Sequence, residues 1–182
     1  MSTEEVLAGV ISALPQGSVF VEVGVLRATT LVYIAEECKN TKAVLGVDSY
    51  QPYIDELGIP YSVGAELALM NRKIAEQKVA ESMCSSKMQL IIQDAIDAAK
   101  SFEDHSIDCV FLDAYMNRQQ VVEHVLAWFP KVKYDGILCG HDIYSEEVQC
   151  ALQEIGLCYE VVQQQIWLHQ NARALVPGTP KT

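Results

Sequence analysis

Five acidic residues, Glu22, Asp48, Asp94, Asp113 and Asp142, each follow or close a short apolar run, and one histidine, His141, stands in the same row. Carboxylates gathered at one place repel one another, so such a set asks for a cation: a sulfonium ligand, a divalent metal, or both. Oxygen donors with one imidazole suit Mg, Mn or Fe better than a structural zinc. An ordinary surface or core histidine is the plainer reading of His141. Around the first acid the chain reads Val21-Glu22-Val23-Gly24-Val25-Leu26-Arg27-Ala28-Thr29-Thr30. The glycine removes a side chain that would hold the backbone away from a ligand, and the start of the expected helix offers unpaired N–H groups. The strict G-x-G-x-x-G pattern of a dinucleotide turn is absent. A carboxylate beside that loop repels a pyrophosphate but suits a cationic amino-acid group. The same residues also serve a tight strand-to-helix turn that binds nothing.

Asp48, in Gly46-Val47-Asp48-Ser49, falls roughly twenty positions beyond the glycine turn, where a carboxylate accepts from both hydroxyls of a ribose. Its alternative is to cap a turn before Ser49 and Tyr50. Asp94 could accept from an exocyclic amine while the Ala95 N–H donates to a ring nitrogen of adenine; a helix N-cap is its alternative.

The elements that must position these groups alternate. Periodicity predicts strands at 19–23, 43–47, 88–92, 107–112 and 137–139, the last announced by a turn at Asp135-Gly136, and one long or two short strands over 159–169. Helices are predicted near 1–14, 29–38, 64–83, 97–102, 118–129 and 146–155. Strands alternating with helices argue for a single α/β domain spanning residues 1–182, a mostly parallel sheet in three layers with an antiparallel strand at its C-terminal edge, and ligands past the carboxyl ends of the strands. Residues 50–86 are the longest insertion, a candidate lid or acceptor pocket with Tyr50, Tyr53 and Tyr61, or else a dimer contact. Residues 171–182 read as a loose tail.

Composition narrows the partners. With 24 acidic against 13 basic residues and a net charge of −11, the chain lacks a phosphate-neutralising stripe, which argues against nucleic acid. The N-terminal segment reads as an amphipathic helix rather than a signal peptide, and no apolar run reaches the roughly 20 residues of a membrane span, so a cytoplasmic protein is expected. The six cysteines form no C-x-x-C pair and sit mostly in apolar segments, as reduced core residues do.

The segments FVEVGVLRATTL, GVDSY, CVFLDAY and GILCGHDI, in this order and with the helix bearing Trp128 between the last two, resemble class I S-adenosylmethionine-dependent methyltransferases. Within that class the likeness is to the small-molecule group that includes cephalosporin, macrolide-sugar and rhamnosyl O-methyltransferases, and it covers residues 6–167. The resemblance implies a Rossmann-like fold in which the segment from Glu22 through Gly24, Arg27, Ala28 and Thr29 cradles the methionine part of S-adenosylmethionine. Asp48 with Ser49 would hold its ribose, Asp94 with Ala95 its adenine, and Asp113 would also border the cofactor. In relatives that use a metal such as Mg, the acids after strands four and five bind it, which here means Asp113 and Asp142. His141 becomes an extra ligand or, with Asp113, part of the catalytic machinery, and the methyl acceptor is a small-molecule hydroxyl. Two positions depart from the pattern. Ala28 replaces a common glycine, a small intrusion if its dihedrals are ordinary helical ones, and Ala114-Tyr115-Met116-Asn117 replaces a Gly-Asp-His-type run. A nucleotide-dependent oxidoreductase and a binding protein that has lost its chemistry are the competing functions.

Overall fold

The computed structural model describes residues 1–52, 64–114 and 117–170. Tyr53 and Tyr61 of the predicted insertion, Tyr115 and Met116 of the departing run, and the 171–182 tail lie outside the described residues. The elements run α1 (Thr3–Ser12), β1 (Ser18–Val23), α2 (Thr29–Glu37), β2 (Thr41–Val47), α3 (Ala65–Glu81), β3 (Met88–Ile91), α4 (Ala95–Ala99), β4 (Ile107–Leu112), α5 (Arg118–Trp128), β5 (Val132–Gly140), α6 (Glu146–Glu154), β6 (Glu160–Val162) and β7 (Ile166–Gln170). One seven-stranded sheet has the order β3-β2-β1-β4-β5-β7-β6. Strands β1 to β5 pair in parallel, and β7 runs antiparallel between β5 and the edge strand β6. The antiparallel strand expected at the C-terminal side of the sheet is present as β7, beside the edge strand β6. The arrangement is Rossmann-like, and its strand order reverses between β1 and β4, which places the binding crevice past their carboxyl ends.

Strand alternation builds two cores. Val21, Val23, Val110, Leu112, Leu138 and Trp167 point to the face covered by α4, α5 and α6. Phe20, Cys109, Phe111, Cys139, Ile166 and Leu168 point to the face covered by α1, α2 and α3. The same parity sends Glu22 to the Phe20 side, beneath the start of α2.

Two elements differ from the periodic reading. Helix α4 begins at Ala95 rather than 97, because the Asp94 side chain accepts from the Ile96 and Asp97 amides and starts the helix early. Strand β5 spans nine residues, and Asp135-Gly136 lies within it rather than before it. Between the Ile107–Val132 and Cys109–Ile137 pairs, β5 carries extra residues as a bulge. Gly136 fits there because a Cβ would lie 2.9 Å from the Asp108 carbonyl oxygen. The cysteines are free; Cys38, Cys109 and Cys139 are buried, while Cys158 is exposed.

Candidate active site

Main-chain bonds continue the parallel ladder one step beyond the strands and level the acids with one another. The Gly24 amide donates to Val47 O at 2.9 Å, Asp48 to Ile91 O at 3.1 Å, Asp113 to Val23 O at 2.8 Å and His141 to Leu112 O at 3.0 Å. Gly24, at φ +93°, turns the chain out of β1 where a Cβ would sit 2.5 Å from the Ala114 nitrogen. The glycine is thus required by the neighbouring β4 turn as well as by any ligand. Gly46 leaves room for Val25 and Leu31, whose side chains a Cβ would meet at 2.7 and 2.9 Å, and so lets the β1–α2 loop lie across β2.

That loop is tied to Asp48. One carboxylate oxygen accepts from the Val25 and Leu26 amides at 2.9 and 3.0 Å, and the other accepts from Tyr50 N at 2.8 Å. The turn-capping alternative is realised, and about one of a carboxylate's four acceptor positions remains for a ribose. Ser49 Oγ accepts from Gln51 N. Arg27 Nε donates to Asn71 Oδ1 at 2.8 Å, and Thr29 Oγ1 accepts from Lys78 Nζ at 2.9 Å, so these two residues fasten α3 to the loop. Asp94 is an exposed N-cap, as its own alternative held. Ala28 corrects an expectation: its φ is +56°, left-handed rather than helical, which is the physical reason a glycine suits this position. Its methyl is fully buried in the α1–α2–α3 core and does not crowd the crevice.

Glu22 is 2% exposed, and its Oε2 has no hydrogen-bond partner among the described residues. Burial pushes its carboxyl well above the ordinary range; Asp113, Asp48 and Glu4 push the same way, while a bond with the Leu31 backbone pulls it back. Asp113 is raised to about 7, chiefly by burial, with His141 opposing and Asp142 and Glu4 adding to the shift. Asp48 and Asp113 thus act on Glu22, Asp142 acts on Asp113, and Glu4 of α1, an acid that the sequence did not reveal, acts on both Glu22 and Asp113. Asp94 is absent from the influences on Glu22 and Asp113.

Past β4 and β5 the contacts are between side chains. Asp142, at φ +58°, folds back so that Oδ1 lies 2.8 Å from His141 Nδ1 and accepts from the Tyr144 hydroxyl at 2.6 Å. His141 Nδ1 is 3.6 Å from Asp113 Oδ1. Its Nε2 meets Thr3 Oγ1, from the first turn of α1, at 3.3 Å. The bond with Asp142 raises the histidine pKa and lowers that of Asp142. Beside this group opens a cleft of about 390 Å³, floored by Leu112, Val121, Val148 and Trp167 and bordered by His141, Asp142, Tyr144 and Glu147. Gly140 makes room for the Trp167 indole, which a Cβ would meet at 2.5 Å. Thr3, Glu4, Tyr144, Glu147 and Trp167 were missed as site residues. Tyr144, two positions after Asp142, was the one with a readable signal.

A divalent ion held by Asp113, Asp142 and His141 does not fit this arrangement. The imidazole and the Asp142 carboxylate face each other at direct hydrogen-bond distance, and among the described residues no three His, Cys, Asp or Glu side chains converge as ligands. A cationic amino-acid group does fit the charge of the site, since Glu22 has a buried, unpartnered carboxyl oxygen beneath the start of α2, and α2 begins without a side-chain cap.

Residues 21–143 match the family described as a methyltransferase domain. No curated protein sequence matches the chain. Among solved structures, an S-adenosylmethionine-dependent O-methyltransferase from Thermotoga maritima is similar at 11% identity and TM-score 0.62, over 98% of this chain and 66% of that one. An rRNA methylase from Streptococcus thermophilus is similar at 10% identity and TM-score 0.66, over 94% of this chain and 97% of that one. A geranyl diphosphate methyltransferase in complex with S-adenosylmethionine is similar at 10% identity and TM-score 0.65, over 93% and 84%. At these identities the structural likeness speaks for the fold.

Proposed function

The chain belongs to the methyltransferase-domain family, and from that membership we propose that it transfers a methyl group from S-adenosylmethionine to the hydroxyl of a small molecule. The observation that carries the cofactor reading is Glu22, a buried carboxyl with an unpartnered oxygen at the point where the strand order reverses. Burying a carboxyl this way is unfavourable until a cation meets it. S-adenosylmethionine, when bound, supplies an activated methyl group on a sulfonium centre.

Glu22 holds the α-amino group of the amino-acid end, with the open amides at the start of α2 beside it. Asp48 keeps the loop in place through its three amide bonds and offers its remaining acceptor position to the ribose; Asp94 and Ala95 border the adenine. On the acceptor side, the hydroxyl displaces Thr3 Oγ1 from His141 Nε2, which takes its proton, while Nδ1–H donates to Asp142, which fixes the tautomer and stabilises the imidazolium. Asp113, raised to about 7 and 3.6 Å from the imidazole, stands as a second proton acceptor. The apolar cleft floor excludes water and aligns the acceptor with the cofactor crevice across Asp113. Direction to oxygen is supported by this base, and a small acceptor by the cleft's size and the net charge of −11.

Calorimetric titration with S-adenosylhomocysteine, beside NAD, tests the reading. Binding of S-adenosylhomocysteine alone is expected. Binding of NAD alone would place the chain with nucleotide-dependent oxidoreductases, and binding of neither would remove the cofactor assignment.

A further inference from the structure

We propose that the cleft beyond β4 and β5 selects a neutral or cationic acceptor of single-ring size, and that Glu147, at the cleft mouth, sets this preference against anionic acceptors. The inference deepens the methyl-transfer reading and rests on it. Its grounds are the cavity's shape and its unbalanced charge. A space of about 390 Å³ over Leu112, Val121, Val148 and Trp167 accommodates one ring with a short substituent. At the inner end the ring's hydroxyl reaches His141 and Asp142; at the other end a substituent reaches Glu147, in the first turn of α6.

Glu147 is solvent-exposed, and its Oε2 accepts from the Arg118 amide at the start of α5, which holds the carboxylate at the cleft mouth. The cleft borders hold two carboxylates, Asp142 and Glu147, and no Lys or Arg among the described lining residues. Arg118 is the adjacent cation, but its guanidinium is 2.7 Å from Glu154, outside the cleft lining. Asp142 is already compensated by the His141 imidazole and the Tyr144 hydroxyl, so within the described cleft lining an incoming charge meets Glu147, while Arg118, which borders an adjoining pocket with Glu147, is paired to Glu154. A carboxylate or phosphate on the acceptor is repelled there, whereas an ammonium gains a partner.

The experiment uses three phenols of matched size: tyramine, 4-ethylphenol and 3-(4-hydroxyphenyl)propanoate. Each is titrated into the full chain saturated with S-adenosylhomocysteine, following the indole N–H resonances of Trp167 in the cleft and Trp128 in the core. Expected is perturbation of Trp167 but not Trp128, with tyramine binding about tenfold or more tighter than the propanoate and 4-ethylphenol between them. Glu147→Gln, which keeps an oxygen for the Arg118 amide, is expected to reduce that ratio below about threefold, and Glu147→Lys to reverse it. Equal or tighter binding of the propanoate, no perturbation of Trp167 by any phenol, or an unchanged ratio in folded Glu147→Gln overturns the proposal. Failure of S-adenosylhomocysteine to bind sinks the methyl-transfer reading instead, and the same phenol series on the free protein then decides the cleft's preference.

Discussion

At the ends of β2 and β3, Asp48 and Asp94 accept from main-chain amides, whereas past β4 and β5 the acids Asp113 and Asp142 face an imidazole and a phenol. The first region is a scaffold: five amide bonds to two carboxylates fix a loop and a helix start before any ligand arrives. The second is a cluster of titratable and hydroxyl side chains whose members come from β5's exit, β4's exit and the first turn of α1. Glu22 lies between the two and belongs to neither, a buried acid with an oxygen that no described group satisfies. Pre-organised main chain suits binding, and exchangeable side-chain bonds suit proton transfer.

The largest effect that sharpens this division is expected from His141→Ala. Loss of a positioned base lowers turnover by about 10²- to 10⁴-fold, read as S-adenosylhomocysteine formation with the tightest-binding phenol. Cofactor affinity is expected to stay within about threefold, because the imidazole lies outside the scaffold. A variant that loses affinity and turnover together would break the division. Next in size is Glu22→Gln, a near-isosteric change that removes the charge proposed to meet the cofactor's amino group. An affinity loss of about 30-fold or more for S-adenosylhomocysteine follows from the 2–5 kcal/mol attached to truncating one member of such a pair. Undiminished calorimetric affinity would remove Glu22 from the cofactor site.

The same residue gives the free protein a pH dependence of definite sign. Glu22 and Asp113 both have folded-state pKa values above their unfolded ones, so the stability they permit is full below the ordinary carboxylate range and is lost as pH rises through the raised values. His141, also raised, acts in the same direction above its ordinary 6.5. Asp142, lowered, acts oppositely, and only in acid below its ordinary 3.8; His124, lowered by burial, also acts oppositely, below its ordinary 6.5, where Glu22 and Asp113 together outweigh it. The melting temperature of the ligand-free protein is therefore expected to fall from pH 5 to pH 8. Glu22→Gln, or saturating S-adenosylhomocysteine, should flatten that fall. An identical slope in Glu22→Gln would show that the buried carboxyl contributes nothing to it.

The scaffold region was the more legible in sequence, because its signals are local. A glycine beside an acid, a second acid roughly twenty residues on and an N-cap before a helix are each visible within a few positions. Short continuous apolar runs likewise marked the five parallel strands, since both faces of this sheet are covered and parity then assigns each residue to a face. What escaped depends on packing between distant segments. Thr3 meets His141 across 138 positions, Glu4 influences Glu22 from the first turn of α1, and Trp167 enters the cleft only because β7 inserts beside Gly140. The turn signal at Asp135-Gly136 misled for a related reason: a bulge inside a strand and a turn before one draw on the same residues.

The smallest expected effect tests the scaffold at the position where sequence and conformation disagree. Ala28 sits at φ +56° with its methyl fully buried, a left-handed conformation that a side chain disfavours by roughly 1–2 kcal/mol. Glycine would relieve that strain, but it would also enlarge the unfolded ensemble by about 0.4–1 kcal/mol and remove a buried methyl that contributes about 0.8 kcal/mol. These opposing terms nearly cancel, so Ala28→Gly is expected to leave chemical-denaturation stability within about 1 kcal/mol of the parent. Because the methyl faces the core rather than the crevice, S-adenosylhomocysteine affinity should also be unchanged. An affinity gain of tenfold or more would mean that the loop meets the cofactor in another conformation, with the methyl turned outward. The three amide bonds to Asp48 would then have to rearrange on binding, and the scaffold would be as adaptable as the side chains past β4 and β5.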